Sequence, residues 1–214
     1  MPRESLRYLL LDLPSDHEIE GNLATECDIV YSLLANLELA AVTKRVRIAR
    51  AQTLKRMRPY PYDAEIVHLA GHATYDGLWM LGEILPWNEV AASLAGCVTS
   101  LPIGQHRILN LSCCYSQRAA ARLSHKLSPY FSGAYCFHET LVPYAKAIAC
   151  WTTFFYKGPT AATHEAITHD IGEMMGGKVL QYIPYRDQGV EQLTRLSNTN
   201  PRQGRTAVKR QRRL

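Results

Sequence analysis

The 214-residue chain has no apolar run long enough to cross a bilayer. Its longest early stretch, Tyr8 to Leu13, is interrupted by Asp12 and falls far short of the roughly 20 residues a spanning helix needs. No small-residue cleavage site follows that stretch, so it does not read as an export signal. These absences favour a soluble cytoplasmic protein with no membrane partner. The six cysteines, Cys27, Cys97, Cys113, Cys114, Cys136 and Cys150, are then expected as free thiols in a reducing compartment. A bond between the neighbours Cys113 and Cys114 would in any case be strained. The sequence shows no internal repeat. It also lacks a Gly-rich phosphate loop after the first strand, where LPSDHE stands instead, which weakens a doubly wound nucleotide-binding or signalling reading.

The chain also has little net charge once its end is set aside. The formal net charge is +5, but the last 13 residues, RQGRTAVKRQRRL, hold six of the 24 Lys and Arg and no acid. The remainder carries 18 bases against 19 acids, a net −1. Nucleic acid is therefore not an expected partner of the folded part, and only the tail could supply a phosphate-binding term. Residues 1–197 read as one domain, and 198–214 as a basic, solvated and disordered tail. A content of 47% hydrophobic residues suffices for a single core at this length.

What is present is an alternation of short apolar strands and helical patterns. Arg7 to Leu13 reads as a first strand, followed by a helix over Gly21 to Leu39 with apolar residues at Leu23, Cys27, Val30, Leu33 and Leu34. Val46 to Ala49 reads as a basic, edge-like strand, and Ala51 to Met57 as a helical turn ending at the Pro59 and Pro61 breaks. Glu65 to Gly71 is a nearly continuous apolar strand, as expected when both faces are covered. A helix over Pro86 to Leu94 follows, with Pro86 in its first turn. Arg107 to Ser112 is the next strand, SQRAAARLSHKL from Ser116 the next helix, and Ala134 to Phe137 a short strand. Two amphipathic helices close the pattern. One, Tyr144 to Tyr156, is expected to bury Tyr144, Ile148, Trp151 and Phe155; the other, Ala162 to Met175, is expected to bury Ile167, Ile171 and Met174 before a Gly176-Gly177 stop. The whole predicts an α/β fold, a mostly parallel sheet with helices on both faces.

In such sheets reactive groups gather beyond the carboxyl ends of the strands. Two strands end here in chemistry: one in Gly71-His72-Ala73, the other in Cys113-Cys114. A free thiol is only a few per cent thiolate at neutral pH and needs activation. The start of the helix near Ser116 offers about 0.3–1 kcal/mol of dipole stabilisation, too little for a fast enzyme. A neighbouring imidazole can supply the rest, first as base and later as acid. His68 and His72 are four residues apart, but no Glu follows the first and the segment reads as strand, so neither metal nor cofactor is expected. His68 reads as a core residue.

VHLAGHATYDG (67–77) and ILNLSCCYS (108–116), with Cys114 lying 42 residues after His72, together resemble the caspase-like cysteine peptidases of clan CD, especially bacterial CHAT-type and caspase-type domains. The gap is near the caspase value of about 50. GAYCF, VPYAKAIACWTTFFYKG and THEAITHDIGEMM are similar to the family's later strand and helices, so the resemblance covers about residues 7–180. It implies a caspase-like three-layer sandwich and a cysteine endopeptidase with His72 as base and Cys114 as nucleophile. Cys113 fills the small-residue position as a buried hydrophobe. The backbone N–H groups of Ala73 and Cys114 are implied as the oxyanion donors, each worth on the order of 3 kcal/mol.

The sequence departs from the family at Ala73, usually glycine, which puts the loop geometry in question because Ala accepts positive φ poorly. A second departure is Ser112, where members that cleave after Arg or Lys often carry an acid; Ser112 and Asp76 are the candidate substrate-binding residues, with Asp76 also a good turn residue. The long excisable linker of animal caspases is missing. The implied role is bacterial defence or regulated cell death. The implied partners are a protein or peptide substrate and an upstream activating protease or regulator, with control assigned to residues 74–86, to TSLPIGQH or to the tail. A catalytically inactive scaffold using the same cleft is the alternative.

Overall fold

A computed structural model describes residues 6–21, 24–56, 63–102, 105–157 and 163–185. The first strand, β1 (Tyr8–Leu13), is buried along its whole length, which is why its sequence is apolar without alternation. Two helices follow: a short α1 (Asp16–Glu20) and α2 (Glu26–Asn36). Thr25 caps α2 in a reciprocal box with Asp28, which satisfies two orphan N–H groups. The single helix expected over Gly21 to Leu39 is therefore shorter, beginning at Glu26. Next come β2 (Thr43–Arg47), α3 (Ala51–Arg56) and β3 (Ile66–Ala73).

The segment expected as a loop from Thr74 to Pro86 is instead a hairpin, β4 (Gly77–Met80) and β5 (Glu83–Pro86), in which His72 pairs with Trp79 and Ala73 with Leu78. Its turn is made by Leu81 and Gly82, both at positive φ, the conformation a two-residue hairpin turn demands. Pro86 caps α4 (Trp87–Cys97) rather than occupying its first turn. The remaining elements are β6 (Ile108–Ser112), α5 (Ser116–Leu127), β7 (Gly133–Phe137), α6 (Tyr144–Lys157), α7 (His164–Met175) and β8 (Leu180–Pro184).

The main sheet runs β2-β1-β3-β6-β7-β8. Pairing is parallel through β7, and β8 is antiparallel to it. The protein is thus an α/β molecule with a mostly parallel, mixed sheet of eight strands including the hairpin. Alternate residues of β1 enter two separate cores. Leu9, Leu11 and Leu13 pack with residues of α3, α4 and α5, while Tyr8 and Leu10 pack with α2, α6 and α7. That division makes three layers.

The stripe expected on α6 is rotated: Ala147, Cys150, Trp151, Phe154 and Phe155 are buried, whereas Tyr144 is exposed and Ile148 half-buried. On α7, Ile167 and Ile171 are buried but Met174 is exposed, and Gly176 caps the helix at positive φ. β8 was not expected; its sequence LQYIP is only partly buried, which blurs its apolar pattern. The basic tail lies outside the described residues. No helix among the described residues is long and apolar enough to cross a membrane.

Candidate active site

Adjacent parallel strands β3 and β6 are in register from Ile66 opposite Ile108 to Ala70 opposite Ser112. The residues that leave them, His72 and Cys114, are thereby delivered to the same edge of the sheet. Both line one small cleft of about 100 Å³, whose walls also include Asp12, Glu18, Glu26 and Ser112. Cys113 is buried and Cys114 half-buried. Burial raises the Cys113 thiol far above its ordinary pKa, so it is inert as a nucleophile. All six cysteines are free thiols.

Tyr115 adopts a left-handed conformation, φ 57°, as the N-cap of α5. The kink falls one residue after Cys114 and separates strand from helix abruptly. It puts Cys114 just before the N-terminus of a 12-residue helix, the end at which a helix dipole is positive. The positive φ feared for Ala73 does not occur there: the non-glycine residues at positive φ among those described are Glu38, Leu81 and Tyr115. Thr74 N–H donates to Gly77 O at 2.9 Å, so the Ala73–Leu78 pair beside it is the non-hydrogen-bonded kind, with the Ala73 N–H turned away from β4.

His72 is half-exposed, and its Nε2 lies 3.6 Å from Glu18 Oε2. No hydrogen bond joins His72 to Cys114 among the described residues. The loop beyond His72 is clamped to the helix beyond Cys114: the Arg118 guanidinium lies 3.2 Å over the Tyr75 ring, that of Arg122 at 5.2 Å, and Arg122 Nη1 donates to Tyr75 O at 3.4 Å.

Beneath the cleft lies a buried polar knot. Ser112 Oγ donates to Glu26 Oε2 at 2.7 Å, and His68 Nε2 meets Glu26 Oε1 at 2.8 Å. His68 is fully buried, as expected, with Trp151 and Phe155 edge-on to its ring. Asp12 is bound by Arg45 at 2.9 Å and approached by Arg47 at 3.8 Å, and Asp28 also pairs with Arg45. Burial raises the Asp12 pKa, opposed by hydrogen bonds from Arg45 and Thr25.

Of the candidate residues, the cleft brings together His72, Cys114 and Ser112; Ala73 and Asp76 do not line it. Asp76 is exposed in the turn, where its N–H donates to Thr74 Oγ1 at 3.3 Å. Sequence reasoning missed Asp12, Glu18 and Glu26. The Thr25…Asp28 capping box was the available signal, since it sets the start of α2 and so puts Glu26 in its first turn. No group of residues suited to holding a metal ion occurs among the described residues. The chain matches no known family model, and no curated protein matches it significantly.

Proposed function

We propose that this protein is a cysteine endopeptidase of caspase-like, CHAT-type character, acting in bacterial defence or regulated cell death under the control of another component. The observation that carries the reading is the opening of His72 and Cys114, from the carboxyl ends of adjacent strands, onto one cleft. His72 takes the thiol proton, and the Cys114 sulfur bonds to the scissile carbonyl carbon. The N–H groups of Ala73 and Cys114 receive the developing oxyanion. The carbon–nitrogen bond then breaks as His72 returns the proton to the leaving amine; water, deprotonated by His72, adds to the thioester carbonyl, the carbon–sulfur bond breaks, and the proton on His72 returns to the Cys114 sulfur. A side-chain rotation that turns His72 from Glu18 toward Cys114 precedes the first step, a rearrangement ordinary for a half-exposed imidazole.

The test is a peptide-library digest by wild type, Cys114→Ala and Cys113→Ala. Cleavage is expected to vanish with the first variant and persist with the second; the reverse pattern overturns the assignment. The engagement of His72 with Glu18 favours a second reading, an inactive scaffold that binds partners through the cleft. Iodoacetamide separates the two. The enzyme alkylates rapidly at Cys114 in a His72-dependent way, whereas a scaffold labels slowly and at several thiols.

A further inference from the structure

We propose that the cleft beneath Cys114 accepts a lysine or arginine side chain of the substrate, with the Glu26 carboxylate as the anion it meets. The inference rests on the peptidase reading, because it takes the cleft as the seat of the residue whose carbonyl Cys114 attacks. Two independent features support it: the charge left unanswered at Glu26, and the shape of the cavity that leads from Cys114 to it.

The charged side chains lining the cavity are three carboxylates, Asp12, Glu18 and Glu26; its other titratable groups are His72, Tyr144 and the two thiols. Asp12 is answered from behind by Arg45 and Arg47. Among the described residues no lysine or arginine pairs with Glu26. One of its partners is the Ser112 hydroxyl and the other the His68 imidazole. His68 Nδ1 is buried with no hydrogen-bond partner among the described residues, so the ring's contact with the knot is made through Nε2 alone. Glu26 is 5% exposed, and a buried carboxylate without a cation is costly even at a helix N-terminus, where the dipole compensates only in part. Each of its oxygens accepts one bond in the knot, while a carboxylate offers about four acceptor positions. A second sign of unanswered negative charge comes from Tyr144 at the rim. Its hydroxyl is pushed up to about 12, by burial first and then by the field of Glu18, Glu26, Asp28 and Asp12.

The cavity is narrow, about 100 Å³, with Leu13, Ala70, Phe137, Val142 and Ala147 contributing apolar wall. A long aliphatic stem with a cationic tip matches that profile, whereas an aspartate or glutamate side chain would meet like charge at the bottom.

Fluorogenic peptides that differ only in arginine, lysine, citrulline, leucine or aspartate before the scissile bond test this on the full chain. Citrulline keeps the shape of arginine without its charge. Wild type is expected to favour arginine or lysine over citrulline by at least about tenfold, with Glu26→Gln abolishing the preference while iodoacetamide still alkylates Cys114. Glu18→Gln serves as a second variant if Glu26→Gln fails to fold, with a smaller loss expected. Equal cleavage after citrulline, or preferred cleavage after leucine or aspartate, overturns the inference and leaves the peptidase reading standing. If no peptide is cut and Cys114 alkylates slowly, the peptidase reading fails. The pocket is then decided by calorimetry on Cys114→Ala protein with Nα-acetyl-arginine methylamide and its citrulline analogue: Glu26-dependent binding of arginine alone sustains the pocket, and anything else removes it.

Discussion

Gly71→Ala provides a direct test of how the sheet positions the imidazole. Gly71 stands opposite Leu13 in the β1–β3 ladder, and a Cβ built there would lie 2.9 Å from Leu13 Cβ and 3.0 Å from Leu13 O. Ordinary contacts of these kinds begin near 3.5 Å, so the two strands must part by roughly 0.5 Å at this level. Two of the atoms in the way belong to neighbouring backbone or to a Cβ fixed by it, and neither can rotate aside. Overpacking of this kind costs about 1–3 kcal/mol. The displacement is passed to His72, the next residue, and misplacing a reacting group by up to about 1 Å can cost about 100-fold in rate. Urea unfolding and kcat/KM on a fluorogenic peptide measure the two effects together. Gly82→Ala is the control. Gly82 has φ 78° with nothing within 4 Å of an added Cβ, so substitution there brings a similar destabilisation of about 1 kcal/mol through backbone strain without touching β1 or β3. The expected result is comparable stability for the two variants and a rate lowered about 10- to 100-fold for Gly71→Ala alone. If Gly71→Ala loses stability yet keeps the wild-type rate, the spacing of β1 and β3 does not set the position of His72.

Arg107 is 2% exposed and donates to Ala64 O, Thr99 O and Tyr130 O at 2.7, 2.7 and 3.1 Å. Arg107→Met should cost about 3–5 kcal/mol in urea denaturation by leaving these carbonyls unpaired. His164 is held down to about 4 from 6.5, by burial and then by His106. The unfolded chain therefore takes up a proton near pH 6.5 that the folded protein refuses until about pH 4. Stability should be level above pH 6.5 and fall by up to about 3 kcal/mol between there and pH 4, a slope that His164→Gln removes in urea titrations at several pH values. Mass spectrometry after brief iodoacetamide treatment should find Cys114 modified and Cys113 not, and His72→Ala should slow that labelling at least about tenfold.

The parallel core was readable because strands covered on both faces need continuous apolar residues: β1, β3 and β6 all announce themselves in this way. The hairpin was not, since GLWM and EILP place exposed Trp79 and Ile84 where a loop reading expects polar residues. Its decisive feature, positive φ at Leu81, has no signature in leucine. The rotation of the α6 stripe has a similar cause. Tyr144 and Ile148 fit helical periodicity as well as Ala147 and Cys150 do, and only the packing of α6 against its neighbours separates them. The meeting of His72 and Cys114 at one cleft was legible because residues leaving neighbouring parallel strands share an edge, and the burial of Cys113 because a small thiol suits a packed strand. Glu26 was not, because its importance arises from contacts with His68, 42 residues away, and Ser112, 86 away. The two acids of ATECDIV, Glu26 and Asp28, mark a helix start but give no hint of such distant partners.

Those separations also bear on the order in which a chain gains its properties during synthesis. The anionic floor comes from α2, the imidazole from β3 and the sulfur from the turn after β6, and the last of these must dock beside β3 before Ser112 reaches Glu26. A ribosome-bound fragment ending before residue 108 holds Glu26 and His72 but neither Ser112 nor Cys114. The cleft is thus completed only as β6, in the middle of the sheet, is laid down beside β3.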